Sequence, residues 1–450
     1  MTLSLIIILN FLAMLYFCLY LLMQARADIF RPAVFGGLLF LWFYVFDILY
    51  AIFDYKKSSI TFPLSGTNFL YEENALILVS VVILASFVAW LIGDMVVGKY
   101  FNKYNQSQEI TKDNHNITFR LVRTTGFITL LILLVTLIFL FKFILSVGGF
   151  SWYLEHIADR ALIYKNATFL YAFIQIAMTL GSIVCGFIFI AIRKEKKFPL
   201  LAFLICISIL FIVISLGLLS GARANILKSV IIIALIWNYF AKKFRFNYKL
   251  ILFLIVLCLG FVTYADQTRN NFEIEEGTII DHIFNSVEVS QANNLLIIDQ
   301  LMLEGNAKGK TIISGLLSFI PSSFFEIFGT KKEYGGNAFF TEVVWPDRWY
   351  RTKSEVALGI IGELVLNFSF FVTPLLLFLI GGIYRFIYEF LIRNRFLGIW
   401  GMIVYIGVMW SLFQLIRGDL FNTINNFVVF LVSCIFSFML TKLMFKNTHS

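Results

Sequence analysis

A short turn in the sequence places an arginine between small residues, directly before a long apolar run. The segment Ser220-Gly221-Ala222-Arg223-Ala224-Asn225 leaves almost no loop between two apolar stretches, and Lys228 follows about one helical turn later. A guanidinium recognises phosphate through paired hydrogen bonds, so Arg223 is a candidate phosphate-binding residue. The alternative is an arginine whose stem lies along apolar surface while its charged end reaches polar headgroups.

A carboxylate and an amide lie four residues apart inside another apolar run. Because of this spacing, Glu363 and Asn367 share one face of a predicted helix. An ionisable group among apolar residues is costly unless it faces water or a partner, so Glu363 is a candidate functional residue. Arg417, in the turn Arg417-Gly418-Asp419, is a further candidate cation, although Asp419 could simply pair with it.

Aromatic residues and cations are mixed in two polar segments. Trp345-Pro346-Asp347-Arg348-Trp349-Tyr350-Arg351 precedes Lys353, and Trp152-Tyr153 precedes Arg160. Aromatic faces stack on sugar rings and arginines suit phosphates, while an aromatic belt with basic anchors at a membrane interface is the alternative. The sequence has no nucleotide-binding glycine motif and no Gly-x-Ser-x-Gly elbow, and its four histidines are scattered. We therefore predict no cofactor and no metal site.

The elements that must position these residues are membrane helices. The chain is 60% hydrophobic and 14% charged, whereas a soluble domain carries about 25% charged residues. Long continuous apolar runs indicate helices that satisfy their own backbone hydrogen bonds in lipid. The sequence predicts an all-α polytopic membrane protein with about eleven transmembrane helices. The predicted helices are 3–25, 33–53, 74–98, 124–147, 168–192, 199–220, 225–241, 250–265, 356–384, 396–416 and 421–441.

Lysine and arginine clusters between alternate pairs of helices predict the topology. They place the C-terminus in the cytoplasm and the long polar segment outside. The chain then divides into an N-terminal membrane bundle (1–265, about eight helices), a large external loop (266–355) and a C-terminal membrane bundle (356–450, about three helices). Within the loop, helical stretches are predicted around 279–303 and 311–328. The net charge of +9 is explained by cytoplasmic basic segments, so no nucleic-acid partner is expected.

In this layout the chain resembles the O-antigen polymerase family, commonly called Wzy, whose members polymerise oligosaccharide repeat units. The Arg223 turn is similar to the family's small-residue, arginine, small-residue turn. Gly359 to Phe368 resembles its Gly-Glu-x-x-x-Asn-Phe helix, although Ser369 stands where the family often has glycine. Three further matches are Ile320-Pro321 followed by Lys331 and Lys332, Gly148-Gly149-Phe150 before Arg160, and Arg417 before the last helix.

The resemblance implies a glycosyltransferase of the bacterial inner membrane. It would join repeat units carried on undecaprenyl pyrophosphate at the periplasmic face, making O-antigen or capsule-type polysaccharide, with a chain-length regulator protein as a further expected partner. Cations would stabilise the pyrophosphate leaving group, and a base or orienting group would act on the attacking hydroxyl. Asp347, His282 and Glu288 are secondary candidates for the base. The expected catalytic residues are Glu363, Arg223, Arg351 and Arg417, and the expected substrate-binding residues are Arg160, Lys331, Lys353, Asn367 and Trp349.

Two other functions stay open from the sequence. A flippase or other transporter of lipid-linked oligosaccharide would line its whole bundle with charged residues, whereas here the unusual charges gather in the predicted outer half. An O-antigen ligase would use the same donor with a lipid A-core acceptor. The Gly-Glu-x-x-x-Asn-Phe stretch favours the polymerase over the ligase.

Overall fold

A computed structural model describes residues 12, 28–45, 60–61, 68–69, 73–104, 119–156, 163–164, 167–194, 199–220, 223–241, 291–394 and 399–446. The predicted helix 250–265 lies outside these residues, and so does the predicted helix 3–25 apart from Leu12.

The regular structure of these residues is helical apart from a two-residue antiparallel ladder between β1 (Ile60–Thr61) and β2 (Asn68–Phe69). The N-terminal half holds α1 (Pro32–Phe40, continued by a π-helical turn Leu41–Val45), α2 (Glu73–Tyr104), α3 (Phe119–Ser146), α4 (Gly149–Glu155), α5 (Thr168–Lys194), α6 (Leu200–Leu219) and α7 (Arg223–Phe240). The C-terminal half holds α8 (Gln291–Gln300), α9 (Lys310–Leu316), α10 (Ser322–Ile327), α11 (Gly336–Val344), α12 (Pro346–Thr352), α13 (Gly359–Asn367), α14 (Val372–Tyr388, continued by a π-helical turn Glu389–Arg393), α15 (Ile399–Arg417) and α16 (Leu420–Lys446).

Six of these helices are long and apolar enough to cross a bilayer. They are Asn74–Phe101, Thr125–Ser146, Phe169–Arg193, Leu200–Leu219, Val372–Arg393 and Trp400–Arg417. Pro32–Tyr44, Asn225–Phe240 and Leu420–Phe436 are shorter apolar helices. Large apolar side chains on α3 and α6, such as Ile138 and Phe211, point away from the protein interior and are exposed, as expected where lipid covers the surface. The prediction of an all-helical chain with several membrane spans is confirmed at this level, and the total of about eleven stays a prediction.

The predicted span 356–384 is divided in the structure, and this corrects the sequence interpretation. α13 ends at Asn367 and α14 begins at Val372. The helix ends there because residues of the preceding loop donate hydrogen bonds to the last carbonyl groups of α13. The N–H groups of Gly305 and Ala307 donate to the carbonyls of Val365 and Leu366. These long-range bonds cannot be predicted from hydropathy. As a result of the break, α13 is a short buried helix outside the six candidate spans.

The long polar segment is partly a core element. Within α8, Leu295, Leu296 and Ile298 are fully buried, and the helix packs against α2 and α13. The segment also contains α11 and α12, which were not predicted, and the predicted stretch 311–328 is two short helices separated around Pro321. Because α9 packs on the start of α16, the segment covers one end of the C-terminal helices.

The opposite end of the bundle is held by a buried ionic network. Asp94 of α2 accepts hydrogen bonds from Arg31 and Arg385, and Glu389 pairs with Arg385 and Arg393. Each carboxylate contacts two guanidinium groups, which compensates part of the cost of burying the charges. The network ties α1, α2 and α14 together and leaves the other end of the bundle to carry the candidate site.

Candidate functional site

Glu363 is completely buried, and both of its carboxylate oxygens accept hydrogen bonds. Thr311 Oγ1 donates to Oε1 at 3.2 Å, and the backbone N–H of Leu420 donates to Oε2 at 2.7 Å. Burial, together with the nearby charge of Asp419, raises the pKa of Glu363 well above its ordinary 4.5. The side chain joins α13 to α9 and to the first residue of α16, so in this arrangement it acts as a link between elements.

Asn367 completes this link from the same face of α13, as the spacing predicts. Its Nδ2 donates to Thr311 Oγ1 and to the carbonyl of Glu363, each at 2.6 Å. Thr311 therefore lies between the carboxylate and the amide and bonds to both. Sequence reasoning missed Thr311, because a threonine one residue into a short helix carries no signal of its partner 52 positions away.

A second buried carboxylate, Asp419, organises the turn between α15 and α16. Its Oδ1 accepts the backbone N–H of Asn422 at 2.9 Å, which is a helix N-cap. Its Oδ2 accepts the backbone N–H of Asn337 at 2.9 Å. Burial raises the pKa of Asp419 above its ordinary 3.8, and the N–H donors of Asn337 and Asn422 oppose that shift. Asp419 thus fixes the polar segment to the turn that carries Arg417.

Two glycines allow the polar segment to approach both carboxylates. A side chain at Gly336 would place its Cβ 2.9 Å from Glu363 Oε1, and one at Gly335 would place it 2.9 Å from Asp419 Oδ2. Real Cβ atoms do not approach heavy atoms so closely, so any larger residue would push α11 away. The pair explains why Tyr334-Gly335-Gly336-Asn337 can connect the buried carboxylates with the aromatic surface described next.

Three of the predicted cationic and aromatic residues, Lys331, Trp349 and Lys353, lie together around Tyr334, which the sequence did not single out. The ring centroids of Tyr334 and Trp349 are 5.4 Å apart. Lys331 Nζ lies 5.6 Å from the Tyr334 ring centroid, and Lys353 Nζ lies 4.5 Å from that of Trp349. We call these four residues the cation–aromatic band. Beside it, Lys310, Lys331 and Lys332 line a cleft of about 230 Å³. Trp349 is buried, with 6% of its surface exposed, whereas Tyr334 is partly exposed. The band therefore offers the Tyr334 ring to sugars and positive charge to anions.

Two of the predicted residues, Asp347 and Arg351, lie at opposite ends of the short helix α12. Asp347 lies in its first turn and Arg351 in its last turn, where each complements the helix dipole. Both side chains are exposed, so both face solvent at the edge of the band. Lys353 ends the helix with a left-handed backbone (φ 52°), a conformation that a lysine adopts only when its surroundings hold it there.

Arg223 is the first residue of α7 and Arg417 is the last residue of α15. These two helices are antiparallel neighbours, so both arginines lie at the same end of the pair. Lys228 Nζ of α7 lies 5.7 Å from the ring centroid of Trp410 in α15, and further along, the rings of Tyr239 and Tyr405 are 5.6 Å apart. Measured along the helix axes from the Lys228–Trp410 contact, at about 1.5 Å per residue, the Arg223 backbone lies about 7.5 Å away and the Arg417 backbone about 10.5 Å away, both toward the same end. The carbonyl of Arg417 accepts a hydrogen bond from Gln291 Nε2 at 3.0 Å.

The remaining predicted residues are outside the described part of the chain. Arg160, His282 and Glu288 lie there, and for Arg223 the structure describes the backbone only. Among the residues described, no group of three His, Cys, Asp or Glu side chains is arranged to hold a metal ion.

A comparison with known families matches nearly the whole chain. The family model described as O-antigen polysaccharide polymerase Wzy matches residues 1–448, which include every helix named above. No curated protein matches the chain, and no solved structure matches it.

Proposed function

Because the chain belongs to the O-antigen polysaccharide polymerase Wzy family, we propose that it joins undecaprenyl-pyrophosphate-linked oligosaccharide repeat units into a polysaccharide. The family consists of polymerases, and the apolar helices make the chain a multi-pass membrane protein. The observation that carries the proposal is the family match over residues 1–448. The reaction takes place at the periplasmic face of the inner membrane, and the C-terminus is cytoplasmic.

The gathering of cations at one end of the bundle supports this reaction. Glycan transfer from a lipid pyrophosphate breaks the bond between the sugar and the pyrophosphate, and negative charge develops on the departing phosphate oxygen. Fixed cations stabilise that charge. We assign this role to Arg223 and Arg417, whose helices end side by side, and to Arg351 of α12. Arg160, in the second predicted external loop, has the same role.

The glycan is bound by the cation–aromatic band. Tyr334 offers a partly exposed ring to sugars, and the buried Trp349 packs edge-on against it. Lys331 and Lys353 hold charge beside these two rings. The band belongs to the segment that Asp419 and Glu363 fix to the start of α16. Its position is therefore coupled to the turn that carries Arg417.

We propose that Glu363 and Asn367 are positioning residues. Glu363 has no exposed surface and both of its oxygens are engaged. A general base must reach the proton that it removes, directly or through one water molecule. The link from α13 to α9 and α16 therefore accounts for Glu363 better than direct proton transfer does.

Deletion of the gene, followed by gel analysis of surface polysaccharide, tests the proposed function. A polymerase deletion leaves core carrying a single repeat unit. Complete loss of capped core would indicate a ligase, and precursor accumulating at the cytoplasmic face would indicate a flippase. Either of these two results would overturn the proposal.

The role of Arg223 is tested by complementing the deletion with Arg223→Ala. We expect long polysaccharide to be lost and single repeat units to remain, because the departing pyrophosphate loses a cation. Arg193→Ala is the matched control, since Arg193 lies beside Trp237 at the other end of α7, with its guanidinium 4.9 Å from the ring centroid. Long polysaccharide in the Arg223 variant at normal protein level would contradict the role.

A further inference from the structure

Three buried hydrogen-bond donors lie unpaired where α7 meets α15. They are Lys228 Nζ and Asn225 Nδ2 of α7 and Trp410 Nε1 of α15, and none bonds to any residue that the structure describes. Their side chains are almost fully buried, with exposures of 2%, 6% and 1% respectively. Buried polar groups are nearly always hydrogen-bonded, and an unpaired buried ammonium is strongly unfavourable. Three such groups in one place require an explanation.

The three donors share one region of the helix pair. Asn225 and Lys228 are three residues apart and so lie on the same side of α7. Lys228 Nζ is 5.7 Å from the Trp410 ring centroid, and the Trp410 ring stacks on Phe413, with centroids 5.1 Å apart. None of the three atoms can accept a hydrogen bond in its usual charge state. The region therefore suits a ligand that supplies acceptor oxygens and negative charge.

The surroundings narrow the ligand class. Toward one end lie the helix termini that carry Arg223 and Arg417, about 7.5 Å and about 10.5 Å from the Lys228–Trp410 contact along the helix axes. Toward the other end, α7 and α15 continue with apolar residues such as Ile232 and Ile406, both buried. Of the molecules in the proposed reaction, the lipid carrier combines an anionic group with a long apolar chain, so its pyrophosphate is the group that suits the three donors.

We propose that Lys228, Asn225 and Trp410 form a binding site for the pyrophosphate of a polyprenyl pyrophosphate. The inference rests on the proposed function, because it specifies how that lipid carrier is held. Lys228 supplies the charge, the amide of Asn225 and the indole N–H of Trp410 supply hydrogen bonds, and Arg223 and Arg417 lie beyond them toward the glycan. The three residues bind the carrier and take no part in proton transfer.

Binding of radiolabelled undecaprenyl pyrophosphate to the full-length protein in phosphatidylcholine nanodiscs tests the inference. A hydrogen bond to a charged group corresponds to about 10- to 100-fold in affinity, so Lys228→Met should weaken binding by that factor. Trp410→Phe keeps an aromatic ring and removes one hydrogen bond to the charged pyrophosphate, and should also weaken binding by about 10-fold or more. Undecaprenol, which has no phosphate, should bind the variants and the wild type equally.

Lys142→Met is the matched control, because Lys142 is a single lysine in the apolar helix α3 with an exposed side chain. It should leave binding unchanged. The melting temperature without ligand provides a second readout. Removing an uncompensated buried charge should leave it the same or raise it. A lower melting temperature for Lys228→Met with unchanged binding would mean that Lys228 has a partner inside the protein, and would overturn the inference.

Two further results would overturn it and identify other ligands. If inorganic pyrophosphate displaced the label as well as unlabelled undecaprenyl pyrophosphate does, the polyprenyl chain of the ligand would add nothing to binding. That result would indicate a site for free phosphate. Displacement by phosphatidylglycerol in the nanodisc would indicate a site for bilayer lipids. If the wild type bound no undecaprenyl pyrophosphate, the inference would fail together with its premise, whereas unchanged binding in Lys228→Met would overturn the inference alone.

Discussion

The buried carboxylate Glu363 gives the sharpest test of how the site is held together. Glu363→Ala removes the acceptor for two buried donors, the Leu420 N–H and the Thr311 hydroxyl. Each unsatisfied buried donor costs about 1–3 kcal/mol, so we expect the loss of both bonds to lower the free energy of unfolding by about 2–6 kcal/mol. The link between α13 and α16 would be lost, and polysaccharide synthesis should fall with it.

Glu363→Gln should behave differently, because the amide can keep both hydrogen bonds. Its oxygen can accept from the Leu420 N–H, and its NH₂ can donate to Thr311 Oγ1. We expect the free energy of unfolding to stay within about 1 kcal/mol of the wild type and long polysaccharide to be made. Loss of polysaccharide in Glu363→Gln, at normal protein level and melting temperature, would show that Glu363 transfers protons and would refute the positioning role.

The pH dependence of stability separates the same two variants from the wild type. The pKa of Glu363 is raised in the folded protein, so the folded state holds a proton that the unfolded state releases above about 4.5. Stability from this group is therefore complete below pH 4.5 and is lost as the pH rises through the raised pKa. The melting temperature of Glu363→Gln relative to that of the wild type should increase with pH above 4.5. A thermal-shift assay over a series of pH values measures this difference. A constant difference would contradict the assigned shift.

Three further variants test the packing and the surface. Gly93→Ala should lower the melting temperature, with a loss of about 1–3 kcal/mol, because its Cβ would overlap the carbonyl oxygen of Phe378 in α14; an unchanged melting temperature would refute the close approach of α2 and α14. Asp94→Ala leaves the guanidinium groups of Arg31 and Arg385 without this carboxylate, and should cost about 3–5 kcal/mol in unfolding experiments. The double change Lys331→Ala with Lys353→Ala should weaken glycan binding in an equilibrium assay while the melting temperature is kept, and binding at wild-type strength would remove the band from the substrate site.

The helices of the bundle were predictable because long apolar runs have no stable alternative in lipid. The runs 74–98 and 199–220, for example, correspond to α2 and α6. The break after Asn367 was not predictable from hydropathy, since it depends on bonds from Gly305 and Ala307, about 60 residues earlier. Sequence periodicity likewise placed Glu363 and Asn367 on one face, but it could not identify Thr311 and Leu420 as the groups to which that face is bonded.

The residues proposed to bind the glycan and the lipid carrier were predicted less completely than the helices that hold them. Tyr334 lacked any motif, yet its ring joins Lys331 to Trp349. The unpaired state of Lys228 also depends on which residues α15 brings beside it, which no local pattern contains. The order of the motifs along the chain was more informative than any one of them, since each motif is short.

The central claim is that the protein itself polymerises lipid-linked repeat units. The most direct measurement is incubation of the purified protein in proteoliposomes with undecaprenyl-pyrophosphate-linked repeat unit, with separate measurement of glycan length and released undecaprenyl pyrophosphate. We predict a ladder of glycans that differ by one repeat unit, with one undecaprenyl pyrophosphate released per bond formed and with Arg223→Ala inactive. Movement of intact repeat unit across the bilayer without any new glycosidic bond would contradict the claim.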